Sequence, residues 1–233
     1  MTVGSIRPDG PRRRGPRPRH THVQVVEAAV AIAGERGLDA VTIRSVAARL
    51  GAGAMSLYSY VPDKETLIYD MVEQVSAELE LPPAPSGDWR ADLGLLARRQ
   101  RALLHRHPWL IPAMSHRQPL GPGTLAYLEF TLAVLEPAGV AAPAALEAVA
   151  LLNGLVLNLV RAELADRDAP ASPAAAAASQ ARLAELLATG RYPRFTAAIS
   201  RSGPPGLDLA ENFDRIVARM LDGLIGTGER RSR

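Results

Sequence analysis

The stretch that leaves the rest of this chain least freedom is Val41 to Lys64, VTIRSVAARLGAGAMSLYSYVPDK. Thr42 has the side chain of a helix N-cap. Ile43, Val46, Ala47 and Leu50 follow at helical spacing until Gly51, a residue able to take the left-handed conformation that ends a helix. After the turn Gly51-Ala52-Gly53-Ala54, a short second helix is expected to carry Met55, Leu57 and Val61 on one side and Ser56, Ser59 and Tyr60 on the other, with Pro62 closing it. Two short helices across a small-residue turn are the layout that holds a recognition helix out to the DNA major groove. No acidic residue lies between Ala40 and Pro62, whereas Arg44 and Arg49 do; a carboxylate facing phosphates would lower affinity. A helical hairpin buried in a core shares the pattern, so the motif by itself leaves that reading open.

The remainder of the chain is compatible with helices alone. At 233 residues it can bury a proper core, and with 47% hydrophobic but only 4% aromatic residues that core has to be built from Leu, Val and Ala, which favours helices over sheets. No cysteine is present, which excludes disulfides and thiolate metal sites and fits a cytoplasmic location. The N-terminus is polar and Arg-rich with no apolar run behind it, so no signal peptide is expected. The longest apolar run, Ala148 to Val160, holds 13 residues including Asn153 and Asn158 and falls short of the ~20 needed to span a bilayer, so a soluble protein with no membrane partner is expected.

The net charge of +3 conceals an asymmetry. Residues 7 to 20 hold six arginines and one aspartate, while residues 21 to 81 hold four basic and nine acidic side chains. Residues 1 to 20, broken by Pro8, Pro11, Pro16 and Pro18, read as a disordered basic arm, either following phosphates or a minor groove or simply solvated. Thr21 with Gln24 forms a capping box for a helix that ends at Gly37, with Val23, Val26, Val30 and Ala33 as its buried stripe. Asp63 caps a helix to about residue 80, with Leu67, Ile68, Met71, Val72, Val75 and Leu79 at the 3.6-residue period. Pro82, Pro83 and Pro85 end it, with Ser86 and Gly87 completing a linker, and set the boundary between a domain of residues 21–81 and another of 88–226. Further helices are expected near 88–106, 108–116, 122–136, 143–166, 174–189, 193–201 and 208–225.

The segment from about Val23 to Leu79 resembles the DNA-binding domain of the tetracycline-repressor (TetR) family of bacterial transcription regulators. The likeness rests on ERGLDAVTIRSVAARLG and LYSYVPDKETLI, residues 35–51 and 57–68. The resemblance implies an all-α chain: an N-terminal three-helix helix-turn-helix domain plus a C-terminal helical ligand-binding and dimerisation domain. It implies that Arg44 contacts bases and that Tyr58, Tyr60 and Lys64 grip phosphates; Thr42 and Ser56 complete the candidate DNA contacts. The chain departs from the family where Ala33 and Gly34 replace a common aromatic and where Ser59 is small.

Helices 143–166 and 208–225 are more apolar than burial in a small domain requires, and such helices meet a partner or are buried within the monomer. The family forms a four-helix bundle across its dimer, which implies Val156, Val160, Phe213, Val217, Met220 and Leu224 as homodimer contacts. Trp109, Met114, Tyr127 and Phe130 gather the second domain's aromatic and soft surface, and Asn153 and Asn158 are amides in an apolar helix that need either a ligand or a neighbouring helix. In tetracycline-binding members a histidine helps hold a magnesium-chelated drug; Met114 stands at that position here with His116 near by, and neither a metal nor another cofactor is expected.

Enzyme motifs are weak. Gly51-x-Gly53 follows a helix rather than a strand, no phosphate loop, H-E-x-x-H or G-x-S-x-G occurs, and His105, His107 and His116 lack a carboxylate at helical spacing. The expected function is a non-enzymatic repressor that binds double-stranded operator DNA as a homodimer and leaves it when a small apolar or aromatic ligand binds. The alternatives are an activator of the same fold, or a helical enzyme or scaffold with a vestigial DNA-binding domain.

Overall fold

A computed structural model describes residues 20–114, 120–168, 173–202 and 209–225. The arm at residues 1–19 and His116 lie outside the described residues. Among the described residues every regular element is helical.

Local chemistry sets the first four helices. Helix α1 (His22–Arg36) begins at the Thr21–Gln24 capping box and ends at Gly37, φ 81°. Helix α2 (Ile43–Leu50) begins at a second box, in which Ser45 N donates to Thr42 Oγ1 at 3.0 Å and Thr42 N to Ser45 Oγ at 2.9 Å, and stops at left-handed Gly51, φ 63°. Helix α3 (Ala54–Leu57) is a single turn. Helix α4 (Lys64–Ser76) starts where Thr66 N donates to Asp63 Oδ1 at 2.7 Å, a bond that holds the Asp63 carboxyl below its ordinary value, and runs into a 3₁₀ turn at Ala77–Leu79.

Val25, Ala29 and Ile32 of α1 pack with Val46 of α2, with Leu57 and Val61, and with Leu67 and Met71 of α4, all fully buried. Each of these side chains except that of Ala29 contributes about 1.5–3 kcal/mol relative to exposure. Two expected facings are corrected. Val23 is 57% exposed and Met55 82% exposed; the buried stripe of α1 runs instead through Val25, Val26, Ala29, Ile32 and Ala33.

The second part of the chain is built around one long helix. Helix α5 (Trp89–Arg106), capped by Asp88, is followed by α6 (Leu110–Ala113), α7 (Pro122–Leu135), α8 (Ala142–Asp168), α9 (Pro173–Ala188), α10 (Pro193–Ser202) and α11 (Leu209–Ile225). Helices α5, α7 and α11 all pack on α8. Segment Ala142–Ala165 of α8 is long and apolar enough, by length and composition, to cross a bilayer, more than the short apolar run promised. In the fold its Val149, Leu152, Val156 and Val160 are buried among neighbouring helices.

The same packing corrects the expected dimer contacts. Val156, Val160, Phe213 and Val217 are fully buried inside a single protomer, because the apolar stripes of α8 and α11 face each other. A partner subunit cannot reach them. Met220 is half-buried, and Leu224 is exposed together with Leu146 and Leu151 of α8. Most of the described surface of α9 and α10 is exposed, including Leu186 and Phe195, as is Tyr192 between them.

Candidate functional site

The surface that carries the expected DNA contacts is assembled by α2, α3 and the start of α4. Arg44 projects from the first turn of α2 into solvent, Ser56 and Met55 are exposed on α3, Tyr58 is 49% exposed just beyond it, and Lys64 is exposed at the first position of α4. Thr42 is exposed, but its hydroxyl is engaged in the capping box and donates to Ser45 Oγ at 3.1 Å. The Ser56 hydroxyl donates to the Gly53 carbonyl at 2.6 Å, keeping its lone pairs outward. Tyr60 is half-buried against the core and presents less of its ring than Tyr58.

Arg49 is withdrawn from this surface. Its guanidinium grips Glu35 of α1 with both forks, at 2.8 and 2.7 Å, and holds that carboxyl below the usual range. At the other end of α1 the His22–Asp70 contact at 2.9 Å joins it to α4. Left exposed on this surface are Arg44, Ser56 and the thioether of Met55, which sequence periodicity had turned inward.

A second site lies where the two parts of the chain meet. A cavity of about 170 Å³ is walled by α4, α5, α6, α7 and α8. Of the expected ligand residues it brings together Met114, Tyr127 and Asn153, and it adds Gln100, Val72 and Ser76. Trp109 is buried beside it in an edge contact with His107, ring centroids 6.0 Å apart, and Phe130 packs half-buried on α7; neither lines the cavity. Asn158 is exposed and does not contribute.

Among the described residues no charged side chain lines the space. Tyr127 donates to Asn153 Oδ1 at 2.7 Å, and burial pushes the phenol up to about 12, the Asn153 bond pulling it back only in part. It is thus a neutral donor at any working pH. Gln100 Oε1 is buried and finds no hydrogen-bond partner among the described residues, in a wall whose other polar side chains are Ser76, Thr124, Tyr127 and Asn153.

Polar pairs around the cavity fix its frame. Glu163 of α8, buried, accepts from Arg101 Nε at 3.0 Å and also bonds His105 of α5, while the Arg101 guanidinium lies 4.8 Å from the Phe213 ring centre on α11. At the end of α4, burial would raise the Glu78 carboxyl, but the bonds from His107 at 3.1 Å and Arg106 at 2.7 Å outweigh it and hold the group low. Arg90–Asp222 and Arg98–Asp214 tie the exposed side of α5 to α11.

Residues 25–71 match the family described as bacterial regulatory proteins, tetR family, and residues 81–227 match the tetracyclin repressor-like C-terminal domain. The chain belongs to the TetR family. It is a helix-turn-helix transcriptional regulator of a family that binds operator DNA and small molecules and dimerises. It is 38% identical over 218 residues to the HTH-type transcriptional repressor DrrR1 of Streptomyces coeruleorubidus, covering 91% of this chain and 79% of that one. It is 30% identical over 204 residues to the class A tetracycline repressor of transposon 1721 from Escherichia coli, covering 86% and 88%. Among solved TetR-family structures, ActR from Streptomyces coelicolor in complex with actinorhodin superposes with a TM-score of 0.76 at 25% identity, covering 90% of this chain and 97% of that one.

Proposed function

We propose that this TetR-family regulator is a homodimeric repressor that leaves a near-palindromic operator when an uncharged, largely apolar ligand fills the cavity. One observation carries the reading: Val72 and Ser76, which wall the cavity, belong to α4, and α4 packs on α1 in the DNA-binding domain. Anything that displaces that wall moves the recognition helix with it, and a dimer reads two half-sites only while its two recognition helices keep the right spacing. The likeness to DrrR1, a repressor, supports the negative sign of regulation. ActR in complex with actinorhodin supports control by a small-molecule ligand.

The lining narrows the ligand. With no charge on the wall among the described residues, an ion would meet no counter-charge there, so a neutral molecule is favoured. Gln100 Oε1 asks for one hydrogen-bond donor, such as a hydroxyl. On the DNA side, Arg44 is assigned to a guanine edge, Met55 to a thymine methyl, and Tyr58 and Lys64 to phosphates. The test is to select duplexes from a random pool and then titrate neutral and anionic aromatic hydroxy compounds into the complex. Enrichment of an inverted repeat and release by neutral compounds are expected; no enriched duplex, or release by anions alone, would overturn the proposal.

A further inference from the structure

Two helices on opposite sides of the domain junction face each other across the cavity, and a carboxylate joins them. Helix α7 begins at Pro122 with Gly121 in the N-cap position, and no side chain of its own turn accepts a hydrogen bond there. The first amides of a helix have no partner within it. Glu73 of α4 provides one: Gly123 N donates to Glu73 Oε2 at 2.8 Å, and Thr124 Oγ1 donates to Glu73 Oε1 at 3.0 Å. Its charge also meets the positive end of the α7 dipole.

Glycine makes the seat. A Cβ at Gly121 would overlap Glu73 Cδ and the carboxylate oxygens, and one at Gly123 would come within 3.1 Å of Oε2. Gly121 has φ −92° and ψ 175°, extended backbone that any residue adopts, so the space for Glu73 is what calls for glycine. Val72 and Ser76 on α4, with Gly123, Thr124 and Tyr127 on α7, line the cavity on either side of this contact. At about 170 Å³ the space is smaller than the ~300–1,000 Å³ of sites for drug-sized ligands, so such a ligand has to part the walls.

We propose that Glu73 is a release latch. It holds α4 against α7 in the DNA-competent arrangement, and a ligand filling the cavity separates the helices by drawing the carboxylate off Gly123 and Thr124. This rests on the ligand-released repressor described above. Because the latch is made only in the DNA-competent arrangement, losing it shifts the population toward the released form even with no ligand present.

Two variants of the full chain reach the latch from opposite sides. Glu73→Ala removes the carboxylate, and Gly121→Ala displaces it with a methyl group while leaving it in the chain. Each is expected to weaken binding to the duplex selected by the parent protein by about fivefold or more and to speed hydrogen exchange in the first turn of α7. The double variant should be no weaker than the worse single one, since both remove the same interaction. Glu73→Gln, which keeps an acceptor without the charge, should fall between parent and Glu73→Ala, and matched helical circular dichroism establishes that all variants are folded. Both single variants within about twofold of the parent on DNA, losses that add in the double variant, or unchanged exchange in α7 would each overturn the latch. A parent that selects no duplex overturns the repressor reading and the latch's role with it, whereas faster α7 exchange beside normal DNA binding overturns the latch alone.

Discussion

Replacing Tyr127 by Phe removes one oxygen from the cavity wall, and the structure sets how large the effect should be. The phenol joins α7 to α8 through Asn153 Oδ1 at 2.7 Å. Without it an amide oxygen is left facing apolar side chains. A net hydrogen bond contributes about 1 kcal/mol and an abandoned buried acceptor costs about 1–3 kcal/mol, so Tyr127→Phe should lower the unfolding free energy by about 1–2 kcal/mol near neutral pH. The pH dependence is the sharper test. Burial raises the phenol from its usual 10.0 to about 12. The fold therefore favours the neutral phenol, and the stability this contributes is complete below the unfolded-state value and is lost as pH rises through the folded one. The difference corresponds to about 3 kcal/mol at most, of which roughly half is gone by about pH 11. In urea unfolding followed by circular dichroism, the parent's advantage over Tyr127→Phe should shrink toward zero between about pH 9 and pH 11, other groups titrating alike in both proteins. A gap that stays constant across that range would show that the phenol is neither buried nor bonded to Asn153 as described.

Arg44→Ala should relax sequence preference by about 1–3 kcal/mol, while Lys64→Ala should weaken all duplexes alike; equal losses for Arg44→Ala on selected and scrambled DNA would remove it from base reading. Leu151→Asp, on the exposed face of α8, should yield folded monomers in sedimentation, whereas Phe213→Asp should unfold the protomer, because a carboxylate there would be desolvated without a partner. A folded, dimeric Phe213→Asp protein would contradict the packing of α11 on α8. Asn153→Leu takes the amide out of the cavity wall without changing the branching of the side chain, and should leave operator affinity within a few fold while abolishing release by a neutral aromatic compound that releases the parent; normal release would place the ligand elsewhere.

What the sequence made legible was local. Thr21 with Gln24, Thr42, Gly51 and Asp63 act within one turn of themselves, so their caps could be read directly and the helix ends followed. Phase was harder. Helix α3 has a single turn, too short for a period to decide which way Met55 points, and α1 is apolar enough for two stripes, of which the one through Val23 lost. Helix α8 is apolar nearly all round, so its pattern did not say that Val156 and Val160 turn inward among the neighbouring helices and that Leu146 and Leu151 are left outward. The cavity was half legible, through Met114, Tyr127 and Asn153, since lone polar groups in apolar runs mark themselves. Gln100 sits among the polar residues of an amphipathic helix and carried no such mark. Glu73 and Thr124 are 51 residues apart; the one local trace of their contact was a helix starting Gly121-Pro122-Gly123 with no side chain to cap it.

Lys64 stands exposed at the mouth of α4, and it is the single lysine among the 233 residues, against 26 arginines. Amine-directed reagents such as acylating agents or formaldehyde with a reductant have, apart from the chain terminus, one address on this protein. That address lies at the surface assigned to the DNA backbone. A single modified peptide, followed over time in a mass spectrometer, therefore serves as a footprint of occupancy: shielded while the protein rides its duplex, open once it lets go, and readable in a crude mixture without labelling either partner.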